Sequence, residues 1–129
     1  MNGIAGVAAA LALSATCVGA QEISAAYSKC MGETGGVTDA MQDCISVELP
    51  QQDKRLNTAY GAMMKSPELA EKRRTQLRDA QRKWIAFRDA NCGFYFDPGG
   101  GSSARLAANE CVLKMTADRA AELEALGPQ

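Results

Sequence analysis

Histidine is absent from all 129 residues of this chain. Without imidazole there is no general base of the usual kind, no Ser-His or Cys-His nucleophile pair, and no histidine ligand for a metal. An excess of one charge is missing too: 14 Lys and Arg face 15 Asp and Glu, a formal net charge of −1. A nucleic-acid binder needs a basic footprint, and this balance supplies none. It leaves room for a local patch that meets a protein partner. No CxxC pair occurs, which together with the missing histidine sets a zinc site aside. Three glycines at 99–101 are followed by Ser-Ser, where a phosphate-binding loop requires Lys and then Ser or Thr. Carboxylates such as Asp89 and Glu110 are the raw material of glycoside hydrolysis, but nothing in their spacing supports it. The chain reads as a non-enzyme, with no cofactor and no metal.

What is present starts with a leader. Residues 1–20 carry no charged side chain and contain an apolar run from Ile4 to Ala15. That run is shorter than the roughly 20 residues a bilayer span requires. Val18-Gly19-Ala20 sets small residues before Gln21, the pattern signal peptidase accepts. The reading is a signal peptide over 1–20, cleaved after Ala20, then one domain over 21–129 with no membrane span. No Lys or Arg precedes the apolar run, which an upstream start codon would explain. Ser14-Ala15-Thr16 makes a poor lipobox for Cys17, so simple export to the periplasm or medium is preferred over lipid attachment there.

Export changes what the sulfur means. Of 5 cysteines, loss of the leader removes Cys17 and leaves Cys30, Cys44, Cys92 and Cys111. An even count in an oxidising compartment reads as two disulfides, with three pairings open. Cys30–Cys44 and Cys92–Cys111 are preferred, because each joins neighbours around one turn. Such a loop stabilises a fold by about 3 kcal/mol in the chain-entropy account.

The remainder is helical in pattern. Ser66-Pro67-Glu68 supplies a capping serine, a proline for the first turn and an early acid, predicting a helix from Pro67 to Phe96. Leu77, Ala80, Trp84, Phe87, Asn91 and Phe94 recur at spacings of three and four, one face of that helix. A last helix is expected from Ser102 or Ser103 to Leu126, stopped by Gly127-Pro128. Upstream, Thr38 or Asp39 caps a helix through Met41, Ile45 and Leu49. Pro50 breaks or kinks it, and Leu56, Tyr60 and Met63 carry the stripe on to Lys65. A short helix near Ile23–Lys29 precedes these. No alternating strand pattern occurs, so the fold class is all-α, a small antiparallel helical bundle with two local disulfides.

Polar residues interrupt the stripes. Asp53 falls between Leu49 and Leu56, while Gln81, Arg88 and Asp89 flank Trp84, and Arg119 borders the last helix's apolar side. A buried charge needs a partner, so Arg88 or Arg119 is expected to face Asp53 or Asp89. The expectation is an internal network of Asp53, Asn57, Gln81, Trp84, Arg88, Asp89 and Arg119 that sets helix register.

Taken together, several of these residues resemble the LprI-type lysozyme-inhibitor domain family. The resemblance rests on Gln81, Trp84, Arg88, Asp89 and Cys92, on Gly100-Gly101-Ser102, and on Cys111, Thr116, Arg119 and Leu123. Upstream, Asp53, Leu56, Asn57 and Tyr60 form an Asp-x-x-Leu-Asn-x-x-Tyr element, and Cys30 and Cys44 fit the earlier cysteine pair. It extends over roughly residues 23–126. It implies an exported, helical, disulfide-linked bacterial domain, some of whose relatives inhibit lysozyme. Function transfers less safely than fold.

Two functions follow. In the first, Asp97, Gly100, Gly101, Ser102, Ser103 and Arg105 belong to a projecting loop, 97–105, on a bridged base, and this loop enters the cleft of lysozyme. In the alternative, the chain is a cell-envelope interaction domain with a non-lysozyme partner. The basic stretch Arg73–Lys83 and the acidic stretch Asp39–Glu48 are then the candidate surfaces.

Overall fold

A computed structural model describes residues 23–127. The expected leader, Cys17, the cleavage site after Ala20 and Pro128 lie outside the described residues. Four helices follow in order: α1 (Ala25–Glu33), α2 (Thr38–Lys65), α3 (Glu71–Phe94) and α4 (Gly101–Leu126). There is no strand among the described residues, as the all-α reading requires.

Chain neighbours run antiparallel, but the largest interface joins α2 to α4, which are parallel. Asn109 Nδ2 donates to Gln42 Oε1 at one end, 3.0 Å, and Arg55 Nε donates to Glu124 Oε1 at the other, 2.6 Å. Between these anchors Leu56 and Ala59 of α2 pack with Ala120 and Leu123 of α4. Ile45, Leu113 and Thr116 are fully enclosed further along the seam. α3 leans on α4, and α1 leans on α2. The two sulfur bridges form as expected, Cys30–Cys44 and Cys92–Cys111, with Cα atoms 5.8 and 5.4 Å apart.

Several local expectations give way to tertiary packing. Pro50 sits inside α2, on its exposed face, without ending it. Proline removes one ladder hydrogen bond there. Buried residues on both sides of it, Ile45 and Glu48 before and Gln52 and Leu56 after, hold the helix to α4 and α1. Ser66 does not cap α3; it ends α2, and its carbonyl accepts from Leu69 N–H in a turn that delays α3 to Glu71. Arg74 clamps this corner, donating to Met64 O at 3.1 Å and Ser66 O at 2.6 Å. α2 starts after Val37 with no side-chain cap, although Asp39 lies in its first turn, where a carboxylate suits the helix dipole. α1 starts later than expected, with Ser24 as its cap: the hydroxyl accepts from Tyr27 N–H at 3.0 Å.

The face of α3 is also different. Gln81 and Cys92 are its buried residues, and Arg74, Leu77, Trp84, Arg88 and Asn91 continue that side half-buried. Phe87 and Phe94, expected in the apolar stripe, are 60% and 87% exposed. α3 therefore turns a polar edge toward its neighbour and sends two of its aromatics outward.

Candidate functional site

Two regions hold the residues singled out from sequence. The first is the α3–α4 end. Phe94 closes α3, Tyr95 caps it with its N–H on Cys92 O and Gly93 O, and α4 begins at Gly101. The loop is therefore shorter than the expected 97–105, because Ser102, Ser103 and Arg105 are already helical and exposed. Nor is it slack. Asp97 organises it: Gly99 N–H donates to Asp97 Oδ1 and Gly100 N–H donates to Asp97 O, both 2.9 Å. Gly101 has φ of 62°, a left-handed value that glycine adopts without strain. A Cβ on Gly100 would meet Ala104 Cβ at 2.7 Å, so that position has no room for a side chain.

The Cys92–Cys111 bridge lies beneath this turn. Cys92 is enclosed, Met115 Sδ lies 3.6 Å from its sulfur, and Asn91 Nδ2 donates to Met115 Sδ at 3.5 Å. Phe94, Tyr95 and Phe96 follow Cys92 at the end of α3, all exposed; the first two meet edge-on with ring centres 6.0 Å apart. Phe96 and Arg105 border a shallow hollow between α3 and α4, closed below by Cys92 and Ala108. Sequence reasoning passed over this aromatic trio as a contact surface. Its signal was available: three consecutive aromatics at a helix end, in a chain only 5% aromatic.

The second region holds the residues expected to form a register network, of which Gln81, Trp84, Arg88, Asp89 and Arg119 come together. Arg119 donates from Nε to Gln81 Oε1 at 3.1 Å and pairs with Glu122 at 2.6 Å. Arg88 pairs with Asp89 at 2.9 Å and donates to Thr116 Oγ1 at 3.4 Å. Both guanidinium groups flank the Trp84 ring, with Arg88 Cζ 5.1 Å and Arg119 Cζ 6.0 Å from its centre. Such cation–π contacts strengthen as they lose water, and these side chains are only 17% and 10% exposed. Asp53 and Asn57 do not join. Both are exposed, and neither hydrogen-bonds another described side chain. Arg88 finds its carboxylate one residue away, and Arg119 finds one at i+3, so Asp53 is left to the solvent.

These two residues instead edge a cleft of about 510 Å³ between α2 and α3. Both helices pack on α4 and barely touch each other. Tyr60 and Ile85 are apolar lining residues, Trp84 borders the cleft with Arg88 over its ring, and Arg78 and Arg82 lie on α3 across from Asp53 on α2.

A polar cluster at the α1 end was not foreseen. Glu48, 2% exposed, accepts from Ser24 Oγ at 2.9 Å and Gln52 Nε2 at 2.7 Å, and Gln52 Nε2 also reaches Ile23 O at 3.1 Å. This ties the chain entering α1 to α2. Burial, with Glu110 and Glu48 nearby, raises the Tyr27 phenol above its ordinary value of 10.0. The hydrogen bond to Glu124 raises the Arg55 guanidinium likewise. Among the described residues no group of Cys, Asp and Glu could hold a metal ion, and no helix is long and apolar enough to cross a membrane.

An all-α domain stapled at two turns belongs to the class of small disulfide-linked helical domains. More narrowly, residues 30–123 match the family model described as "Lysozyme inhibitor LprI", and the chain belongs to that family. It is also similar to an uncharacterized protein of Rhizobium meliloti (strain 1021), 39% identical over 51 residues. That match covers 39% of this chain and 37% of the relative, so the chain spans well under half of the curated relative it matches. No solved structure matches.

Proposed function

We propose that the domain acts outside the cytoplasm as an inhibitor that binds lysozyme, and that the α3–α4 tip is its contact. Membership of the lysozyme-inhibitor family supports a protein partner, and two disulfides suit an oxidising compartment. The observation that carries the choice of tip is the exposed Phe94-Tyr95-Phe96 run at the end of α3, two residues on from the bridged Cys92. Exposed aromatics on a rigid base are typical binding anchors, since they bury large area for little lost side-chain freedom. Beside them Arg105 and the hydroxyls of Ser102 and Ser103 are free to meet carboxylates. The catalytic groups in a lysozyme cleft are carboxylates. With a formal net charge of −1 the chain exerts little long-range pull, so affinity rests on short-range contact.

The test is inhibition of lysozymes of several types by the oxidised mature protein, repeated with Phe94→Ala/Phe96→Ala and after reduction. Inhibition at about 10 µM or below, lost in the variant, is expected. No inhibition of any type at that concentration, alongside capture of a different envelope protein, would establish the non-lysozyme alternative instead.

A further inference from the structure

Two stretches singled out from the sequence face each other across the α2–α3 cleft: Asp53 to Tyr60 on α2, and Gln81 to Arg88 on α3. Part of each has a structural task. Leu56 is in the core, and Gln81, Trp84 and Arg88 hold α3 to α4. Asp53 and Asn57 have none: they are exposed and bond to no described side chain. Opposite them, Arg78 and Arg82 form no ion pair among the described residues, whereas Arg55, Arg74, Arg88 and Arg119 each hold a carboxylate.

We propose that this cleft binds a small organic carboxylate that also carries a hydroxyl or ammonium donor. Two unpaired guanidinium groups offer forked donors matched to a carboxylate. Asp53 and Asn57, on the facing wall, accept from the ligand's own donor. Arg88 is already neutralised by Asp89, so two free cations and one free anion remain. A ligand with a single carboxylate suits that arrangement; a phosphate dianion meets Asp53 and is disfavoured. The volume of about 510 Å³ admits a sugar-acid or amino-acid unit together with water. Tyr60 and Ile85 supply the apolar contact, because Arg88 occupies the Trp84 face. These residues are distinct from the α3–α4 tip, so the inference stands whether or not lysozyme is the partner.

Trp84 is the chain's one tryptophan and borders the cleft, so its fluorescence reports occupancy directly. The oxidised mature protein is titrated with glucuronate, alanine, acetate and inorganic phosphate. A saturable change with glucuronate or with alanine is expected, and which one responds tells a hydroxy acid from an amino acid. The Arg78→Gln/Arg82→Gln variant should weaken that response about tenfold or more, the loss of a charge-assisted fork. Asp53→Asn should weaken an alanine response, whose ammonium loses its carboxylate, while acetate, no longer repelled, should bind no more weakly than before. If the double variant loses its helical circular dichroism, Arg82→Gln alone serves, because Arg82 is solvent-exposed. No saturable change with glucuronate or alanine up to about 100 mM would overturn the proposal. So would binding that survives the arginine changes, or phosphate binding tighter than both.

Discussion

The two bridged ends of the molecule use the same covalent device differently. Cys30–Cys44 and Cys92–Cys111 close segments of similar length, with sequence separations of 14 and 19. At the α1–α2 end the bridge is backed by a buried polar cluster: Glu48 gathers Ser24 and Gln52, and a short helix with no buried residue of its own is held down. At the α3–α4 end the bridge is backed by Met115 and Asn91, and the aromatic run that follows Cys92 is exposed. The first bridge anchors a segment; the second presents one. A staple whose neighbours are satisfied inward is structural, and one beside an exposed aromatic run leaves surface for a partner.

The comparison can be broken in several ways. Replacing either cysteine pair by serine should cost about 3 kcal/mol in denaturant unfolding, and loop entropy separates the two pairs by only a few tenths. Inhibition should nevertheless be lost with Cys92→Ser/Cys111→Ser and kept with Cys30→Ser/Cys44→Ser at a temperature where both stay folded. Equal inhibition by the two variants would erase the distinction.

Glu48→Ala removes the acceptor of Ser24 Oγ and one of the two acceptors of Gln52 Nε2, and about 1–3 kcal/mol should be lost. Faster amide exchange should be confined to α1 and the first half of α2. Gly101→Ala forces a left-handed alanine and should cost about 1 kcal/mol, with the change centred on the α3–α4 turn. Phe94→Ala/Phe96→Ala should change stability by no more than about 0.5 kcal/mol, since these rings are exposed, while removing inhibition.

The smallest effect concerns alkali. The Tyr27 phenol is raised in the folded state, so the fold holds this proton more tightly than the unfolded chain does. That contribution is complete below the ordinary tyrosine value and is lost as pH rises through the raised one. Thermal melts above pH 10.0 should fall less steeply in Tyr27→Phe than in the parent protein.

Legibility from sequence was uneven, and particular residues show why. The bridges and all four helices could be read because local spacing decides both. Thr38–Lys65 and Glu71–Phe94 are long helices with recurring apolar residues, and each cysteine pair flanks one turn. Ser66 was misread because a serine before proline and glutamate fits a helix start, while the same serine also ends α2 well. Phe87 and Phe94 were misread because spacing defines a face but not which neighbour covers it. Asp53 was assigned to an internal network that formed without it, since Arg88 and Arg119 found nearer carboxylates.

What the amino-acid order determined by itself was a helical chain closed at two turns by sulfur, because helix formation and short-loop pairing depend on residues close in sequence. The tertiary structure alone decided that α2 pairs in parallel with α4, that a cleft opens between α2 and α3, and that the aromatic trio faces water. Those outcomes depend on which surfaces remain after the largest apolar faces are buried together, and no local pattern records that competition.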